Sequence, residues 1–404
     1  MHQDTLAESL ARWAIELDPG PEDLALAQRA LIDTAAVTLA ARKHPLRIVA
    51  EELPEAARWA TVGHVLDFDD LHIESTAHIS VVIVPAVLAA HGEARAYLAG
   101  AGVMARLGTM LGWGHYSAGW HATCTAGAPA AAIAAGVAMG LSAPQLATAM
   151  ALAVPAAGGV QLAFGTHSKA LQVGFAAEAG VRAARLARAG ATAEPAALTA
   201  WLHLVGGRPG AVDHGGPAVR GGLAIKVYPC CYAMQRPIAA LREIRTQLDG
   251  DVARVRVRTP KATVQPLIHE HPRTGLAGKF SLPYAVAAGV LDDYPDFASF
   301  TDAAVNRPAA QRLLARVEVA LTDEGEGLLT GEVDIDVELA DGRSVRTTLA
   351  DPPGAPSRPP NAAEFHDKLR ACGPDVPGLL ADPGWHSVGA LLRSAFPGNP
   401  EGTS

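Results

Sequence analysis

The chain of 404 residues is 49% hydrophobic and 18% charged, so it has enough apolar side chains to bury a large core, and its length predicts two domains. Its formal net charge of −8 and the lack of a lysine or arginine run argue against nucleic acid or a membrane surface as a partner. The four cysteines show neither a CxxC pair nor zinc-ligand spacing, so we predict a reduced, cytoplasmic protein.

The first two thirds of the chain carry helical patterns. The N-terminal segment predicts a helix and lacks the basic start and apolar core of a secretion signal. A second helix begins at Pro21 with acidic residues in its first turn. Further along, Ser142 and Gln145 stand at capping-box spacing, and a later helix ends at Gly190.

Residues 122–166 contain no Asp, Glu, Lys or Arg and could be mistaken for a membrane segment. However, prolines and glycines divide them into pieces too short to cross a bilayer, and much of the segment is alanine rather than leucine. We therefore predict a pair of closely packed helices that are buried on all sides in a helical core.

Period-two alternation first appears after about Gly222 and predicts strands. The predicted strands lie at residues 255–258, 316–321, 332–339 and 343–349. The pair Asp341 and Gly342 between the last two predicts a hairpin with a type I′ turn. A proline-rich loop at residues 351–361 follows, after which helical patterns return.

These patterns predict a mainly α fold with an inserted α+β domain. The large all-helical domain comprises residues 1–222 and 362–404, because the last helices are expected to pack back onto the first ones. Residues 223–361 form the smaller domain, for which we predict an antiparallel sheet.

The most unusual local feature is the acidic stretch with Asp67, Asp69 and Asp70, which is followed by His78. Carboxylates close in sequence could bind a hard cation such as Mg²⁺. A metal site of this kind needs a second acidic motif, which the chain lacks, so we predict no metal. Because apolar segments flank the stretch, its acids are expected to be paired with cations or to have raised pKa values, as in functional sites.

Two histidines and two lysines are further candidates. His78 and His121 are each more often structural than catalytic when considered alone. Lys169 and Lys226 lie beside strongly apolar segments, where an ammonium needs a counter-charge or a ligand. For these lysines a functional role is therefore the stronger interpretation.

Tyr284 is either an ordinary core tyrosine or a site residue. Lys279, in the same segment, is most simply a solvated lysine, although it could add a cation to the site. Cys230 and Cys231 have no partner pattern for nucleophilic catalysis and are expected to be buried. The chain has no GxSxG, Walker or well-placed GxGxxG motif, which removes support for hydrolase, nucleotide-hydrolase and dehydrogenase functions.

Five segments, taken in order, resemble the MmgE/PrpD family. They read HVLDFDDLHIESTAHIS, GWHATCTAG, FGTHSKALQVG, IKVYPCCY and TGLAGKFSLPYAVAAGVLDD. The resemblance implies a helical domain built from both chain ends, an inserted α+β lid, a homodimer, and no metal or organic cofactor. It also implies an enzyme that acts on a small polycarboxylic acid.

The resemblance also implies roles for particular residues. The implied catalytic residues are Asp67, His78, His121, Lys169, Lys226 and Tyr284. The implied substrate-binding residues are Lys169, Lys226, Leu71, Gln172 and Lys279. The sequence departs from the family at Leu71, where threonine is usual, and at Gln172 and Gln235, where histidine is often found. These departures concern the choice of substrate.

We therefore expect a cofactor-independent lyase that transfers a proton at the carbon next to a carboxylate. A hydro-lyase of the 2-methylcitrate dehydratase type is the leading expectation, with a cis-aconitate decarboxylase-like or iminodisuccinate epimerase-like enzyme as the alternative. In the expected mechanism, His78 and His121 form an acid/base pair, Asp67 orients one of them or keeps it protonated, and Tyr284 donates a hydrogen bond or a proton. Asp69 and Asp70 are expected to have structural roles. A non-catalytic carboxylate-binding protein is the further alternative.

Overall fold

A computed structural model of the chain describes residues 4–327 and 329–399. Its contacts divide the chain into two compact units. One unit comprises the residues up to Leu223 together with those from Cys372 onward, and the other comprises Ala224–Ala371. The predicted fold class, mainly helical with a small sheet, is confirmed.

The first unit is helical. Its helices before the second unit are α1 (Leu6–Glu16), α2 (Pro21–Ala40), α3 (Leu46–Ala50), α4 (Glu55–His64), α5 (Ser80–Ala89), α6 (Ala94–Ser117), α7 (Ala122–Ala138), α8 (Ala143–Ala153), α9 (His167–Arg188) and α10 (Ala197–Leu204). The predicted capping box forms at the start of α8, where Gln145 accepts a hydrogen bond from Ser142 N at 3.0 Å.

The second unit contains the strands and seven further helices among the described residues. In chain order they are α11 (Gln235–Ile244), β1 (Val252–Pro260), α12 (Lys261–Val264), α13 (Gly275–Gly278), α14 (Leu282–Leu291), α15 (Asp302–Asn306), α16 (Pro308–Leu314), β2 (Val317–Thr322), β3 (Val333–Leu339), β4 (Ser344–Leu349) and α17 (Ala362–Cys372). Helices α18 (Val376–Leu379) and α19 (Trp385–Ala395) belong to the first unit, within which α19 packs against α2 and α5.

The uncharged segment forms α7 and α8, as predicted. Every residue of α7 from Ala122 to Gly136 is buried, and α7 packs against α6 and α9. The contact with α9 is close, since a Cβ built on Gly180 would lie 2.4 Å from the Cβ of Ala131. The prediction that both helices are buried on all sides is wrong for α8, where Pro144 is exposed and Thr148 and Leu152 are half-buried.

Among the described residues, one stretch passes a length and hydropathy test for a membrane span. It is Pro21–Lys43, and 61% of its most apolar window is buried inside the protein. Packing in the core, including the fully buried Leu31 and Leu39, accounts for that apolar composition.

The sheet has the strand order β2-β1-β3-β4. All four strands occur where alternation predicted them, and the buried face of β3 consists of Val333, Ile335, Val337 and Leu339. The prediction of an antiparallel sheet needs one correction, because β1 and β2 are parallel. A long helical crossover joins these two strands, and such a connection permits parallel pairing, whereas alternation alone says nothing about strand direction.

The hairpin between β3 and β4 forms at the predicted position, but its turn differs from the prediction. A type I′ turn requires positive φ at two successive residues. Gly342 has a φ of 90°, whereas Asp341 is not among the residues with positive φ. The connection therefore uses a single left-handed glycine after an ordinary turn, with Leu339 N bonded to Arg343 O at 2.8 Å.

Candidate active site

Four chain segments of the first unit bring charged and polar side chains together in its interior. They are the end of α4, the loop from residue 65 to 79, the start of α7 and the first turns of α9. Helices α4 and α9 approach closely because Gly174 has no side chain; a Cβ there would lie 2.1 Å from the hydroxyl oxygen of Thr61. This approach sets the end of α4 beside the start of α9.

Lys169 lies between an acid and a histidine. Its ammonium donates hydrogen bonds to Asp67 Oδ1 at 2.6 Å and to His64 Nε2 at 2.8 Å. The side chains of Lys169 and Asp67 are only 9% and 4% exposed, so water screens their attraction little. The expected counter-charge for Lys169 is therefore Asp67.

Asp67 has a left-handed backbone conformation, with a φ of 56°. Residues other than glycine rarely adopt this region, although aspartate tolerates it better than most. Its N–H donates to the carbonyl of His64 at 3.0 Å and closes a tight turn directly after α4. Unusual backbone conformations of this kind are found disproportionately at functional sites.

Asp69 lies between two imidazoles. Its Oδ2 is 2.8 Å from His64 Nδ1 and 2.9 Å from His78 Nδ1. Burial opposes ionisation of Asp69, but the two adjoining imidazoles hold its pKa well below the usual range. Burial lowers the pKa of His64, although Asp69 acts against this effect. The pair is therefore an ionised Asp69 that accepts a hydrogen bond from Nδ1–H of a neutral His64.

His121 precedes the first residue of α7 and faces the same cluster. Its ring lies 5.9 Å from that of His64 and 5.0 Å from that of Phe164, measured between centroids. Burial, reinforced by the positive charge of Lys169, holds its pKa well below the usual value. Gln172, one turn after Lys169 on α9, places Nε2 2.6 Å from His121 Nδ1. His121 is therefore a buried, neutral imidazole at neutral pH.

Asp70 points away from the histidines and holds the start of α5. Its Oδ1 accepts a hydrogen bond from Ser80 N at 3.1 Å, and its Oδ2 accepts one from the Ser80 hydroxyl. The same hydroxyl is hydrogen-bonded to the hydroxyl of Tyr97 at 2.8 Å. Burial, together with the neighbouring Asp33, raises the pKa of Asp70 to about 7. These contacts support the structural role predicted for Asp70.

The same cluster offers four groups of the types that ligate metals. One ligand atom each from His64, Asp67, Asp69 and His78 lies within 4.8 Å of the others. The Lys169 ammonium is hydrogen-bonded to two of these groups and already supplies a cation. By geometry, the cluster fits an ammonium better than a divalent ion, because a metal would need the lone pairs that Lys169 now engages.

The remaining predicted site residues lie in the second unit, apart from Leu71, which is 2% exposed in the first unit. Lys226 is fully buried. The prediction of a solvated Lys279 is wrong, since it is 5% exposed and its ammonium lies 5.6 Å from the ring centre of Phe297.

Tyr284 is fully buried, and its hydroxyl donates to the backbone carbonyl of Ser299. Burial raises its pKa to about 12. This hydrogen bond favours the core tyrosine over the proton donor, because the hydroxyl would have to leave Ser299 before it could serve a substrate.

Gln235, at a position where the family often has histidine, makes hydrogen bonds to the backbone of its own unit. Its side-chain oxygen accepts from Val227 N at 3.1 Å and Tyr228 N at 3.0 Å, and its Nε2 donates to Tyr228 O at 2.8 Å. The carboxamide therefore braces the backbone directly after Lys226.

Sequence reasoning missed two residues of the cluster. The sequence patterns indicate no role for His64 and predict a structural role for Asp69, yet both contact the predicted site residues directly. The signal available was that His64 begins the HVLDFDD segment, three residues before Asp67. Its importance depends on contact with Lys169, which is 105 residues away and which local patterns do not reveal.

Fold and site together describe a helical protein with a small mixed sheet and a buried cluster of acids, histidines and a lysine. Two family models match this chain: the MmgE/PrpD N-terminal domain over residues 54–202 and the MmgE/PrpD C-terminal domain over residues 228–378. The chain belongs to the MmgE/PrpD family, a lyase-type family, and the resemblance inferred from the five segments is confirmed.

Two curated relatives carry the description cis-aconitate decarboxylase. One, from Aspergillus terreus (strain NIH 2624 / FGSC A1156), is 27% identical over 346 residues, which cover 74% of this chain and 70% of the relative. The other, from Aspergillus terreus, is 26% identical over 347 residues, with the same coverage of both chains.

Proposed function

We propose that the protein is a lyase that acts on a small di- or tricarboxylic acid by proton transfer at the carbon next to a carboxylate. The observation that carries this proposal is the cluster in which Lys169 joins Asp67 to His64, and Asp69 joins His64 to His78. Two carboxylates, one ammonium and three imidazoles in one buried place are expensive to maintain without a function.

The proposed chemistry requires that negative charge developing on a substrate carboxylate be stabilised by fixed donors. His78 and His121 are the candidates for proton transfer and hydrogen bonding, because a neutral imidazole has one nitrogen that donates and one that accepts. Burial excludes water and strengthens each of these interactions. Lys226 and Tyr284 stay candidates through the family resemblance, and no metal or organic cofactor is required by this scheme.

Loss of water from a hydroxy acid of the 2-methylcitrate type is the first candidate reaction, because dehydration uses one group that takes a proton and another that assists the leaving hydroxyl. Decarboxylation is the second candidate, and the names of the two Aspergillus terreus relatives favour it. Epimerisation would use the same carbanion-like species. All three reactions begin with the same demand on the site, namely stabilisation of charge next to a carboxylate.

The direct test is to incubate the purified protein separately with citrate, 2-methylcitrate, cis-aconitate and iminodisuccinate. Water loss, CO₂ release and change of chirality are followed by separate assays. We expect turnover of one of these acids, and a His78→Ala variant should lose it. Turnover that is unchanged in His78→Ala would contradict the proposed site.

A non-catalytic binder of carboxylates makes a different prediction. Such a protein would be stabilised against thermal unfolding by one of the acids without converting it. The retained lysine and histidines of the cluster favour the enzyme. Measuring the shift in melting temperature beside turnover separates the two functions.

A further inference from the structure

The carboxamide of Gln172 is oriented by the backbone of Val160. The amide N–H of Val160 donates to Gln172 Oε1 at 3.1 Å, and Gln172 Nε2 donates to the carbonyl oxygen of Val160 at 3.3 Å. A half-turn of the carboxamide would set its NH₂ against the Val160 N–H and its oxygen against the Val160 carbonyl. The backbone therefore allows one orientation, in which Nε2 faces His121.

The orienting backbone is itself tied to His121. Val160 pairs with Trp120 in an isolated antiparallel bridge, and His121 N donates to Gly159 O at 3.0 Å within it. Gln172 therefore makes hydrogen bonds on both sides of this bridge. On one side it bonds the backbone of Val160, and on the other it bonds the ring of His121, the residue after Trp120. This arrangement fixes the position of the carboxamide relative to the imidazole.

The contact between the two side chains determines where the imidazole proton lies. Gln172 Nε2 is 2.6 Å from His121 Nδ1, and the thiol of Cys124 lies 3.3 Å from the same nitrogen. An amide NH₂ group only donates, so Nδ1 accepts and carries no proton. A neutral ring must then carry its proton on Nε2.

We propose that Gln172 is a positioning residue that holds His121 as the Nε2–H tautomer, so that His121 donates a hydrogen bond to a substrate oxygen and His78 acts as the base. The donor role rests on the proposed function, whereas the tautomer depends on the geometry alone. A neutral imidazole of this kind stabilises developing oxyanion charge without becoming charged itself.

The surroundings of His121 oppose a second proton on its ring. The Lys169 ammonium repels a positive charge there, as would a protonated His64 or His78, while Asp67 attracts one. His121 also stands at the N-terminal end of α7, where the helix dipole disfavours a cation. Burial adds to these effects, so the tautomer with one proton is the stable form.

His78 has the opposite arrangement. Its Nδ1 lies 2.9 Å from Asp69 Oδ2, and a carboxylate at that distance favours a proton on the nitrogen that faces it. The lone pair of a neutral His78 ring then lies on Nε2, where a base needs it. The two histidines therefore differ because one faces an amide donor and the other a carboxylate.

The test is NMR of the full-length protein labelled with ¹⁵N-histidine, with the His121 signals assigned from a His121→Gln variant. In the wild type, we expect Nδ1 of His121 to show a pyridine-type shift and Nε2 a pyrrole-type shift, unchanged from about pH 6 to about pH 9. A protonated Nδ1 in the wild type would overturn the proposal, whether or not any acid is turned over.

The informative variant is Gln172→Glu, in which a carboxylate replaces the amide donor at nearly the same size. The carboxylate should move the His121 proton to Nδ1, raise its pKa and lower kcat by about 10²-fold with a smaller change in KM. Gln145→Glu at the start of α8 is the matched control, because a capping box accepts either residue and no change is expected.

A folding defect is recognised by comparing the thermal unfolding of both variants with that of the wild type. A Gln172→Glu protein that stays folded with His121 unchanged in its shifts would also overturn the proposal. If the shifts change as expected but none of the tested acids is converted by the wild type, the tautomer stands and the proposed function fails.

Discussion

Lys169 Nζ lies 2.6 Å from Asp67 Oδ1, and 102 residues of sequence separate the two side chains. We predict that Lys169→Met lowers turnover at least about 10²-fold, because it removes the cation of the cluster. It should also lower the free energy of unfolding by about 3–5 kcal/mol, because Asp67 would keep a buried charge without this partner. Steady-state kinetics and denaturant unfolding measure the two effects.

The control for this prediction is another ion pair of the same unit. Arg42 and Asp375 are 34% and 50% exposed in their side chains, and Arg42→Met should cost less than about 1 kcal/mol with turnover retained. The double variant Asp67→Asn with Lys169→Met should recover part of the lost stability but no turnover. Recovery of turnover in the double variant would show that the pair is only structural.

Two neighbouring aspartates are expected to differ sharply in their effects. Asp69→Asn removes the carboxylate that faces His64 and His78, and we predict a fall in kcat of about 10²–10⁴-fold with a small change in KM. Asp70→Asn removes a carboxylate of equal size that contacts Ser80 instead, so turnover should stay within a few-fold of the wild type. Equal losses in both variants would contradict the assigned division of roles.

Local patterns in the sequence predicted the elements well and the contacts between them less well. Period-two alternation located β3, because side chains on one face of a strand must all be buried or all be solvated. The same alternation is identical in parallel and antiparallel strands, so the direction of β1 relative to β2 was not predictable from it. Strand direction depends on the connection, whose path is a tertiary property.

The side-chain cluster around Lys169 was likewise only partly predictable from local sequence patterns. Lys169 beside an apolar segment signalled a need for a counter-charge, which is a property that a sequence can display. The partner histidine, His64, had no local signal of that kind, because its surroundings arise only when α4 and α9 meet at Gly174. Lys279 was expected in solvent for the same reason, since burial within the second unit is not visible in its neighbours.

Treatment with a chelator should leave turnover unchanged, because the ammonium of Lys169 already provides the cation of the cluster. Lys169→Ala should instead gain affinity for Zn²⁺, since the variant leaves His64 Nε2 and Asp67 Oδ1 without that ammonium. The shift in melting temperature with added Zn²⁺ measures this difference between the variant and the wild type. Loss of wild-type turnover with EDTA, restored by a divalent ion, would contradict the ammonium-centred arrangement.

Asp70 should make the protein less stable as pH rises. Burial, with Asp33 nearby, raises its folded pKa to about 7, whereas an unfolded aspartate has a pKa of 3.8. Between these values the folded state binds more protons than the unfolded state, so stability from this group is complete below about pH 4 and is lost by about pH 7. The loss amounts to at most about 4 kcal/mol.

Asp70→Asn cannot ionise and should lack this pH dependence. The difference in unfolding free energy between wild type and variant should therefore move in favour of the variant as pH rises from about 4 to about 8. Asp382→Asn, at an exposed position, is the matched control and should show no such trend. A constant difference between Asp70→Asn and wild type across this range would show that Asp70 is already ionised in the folded protein at low pH.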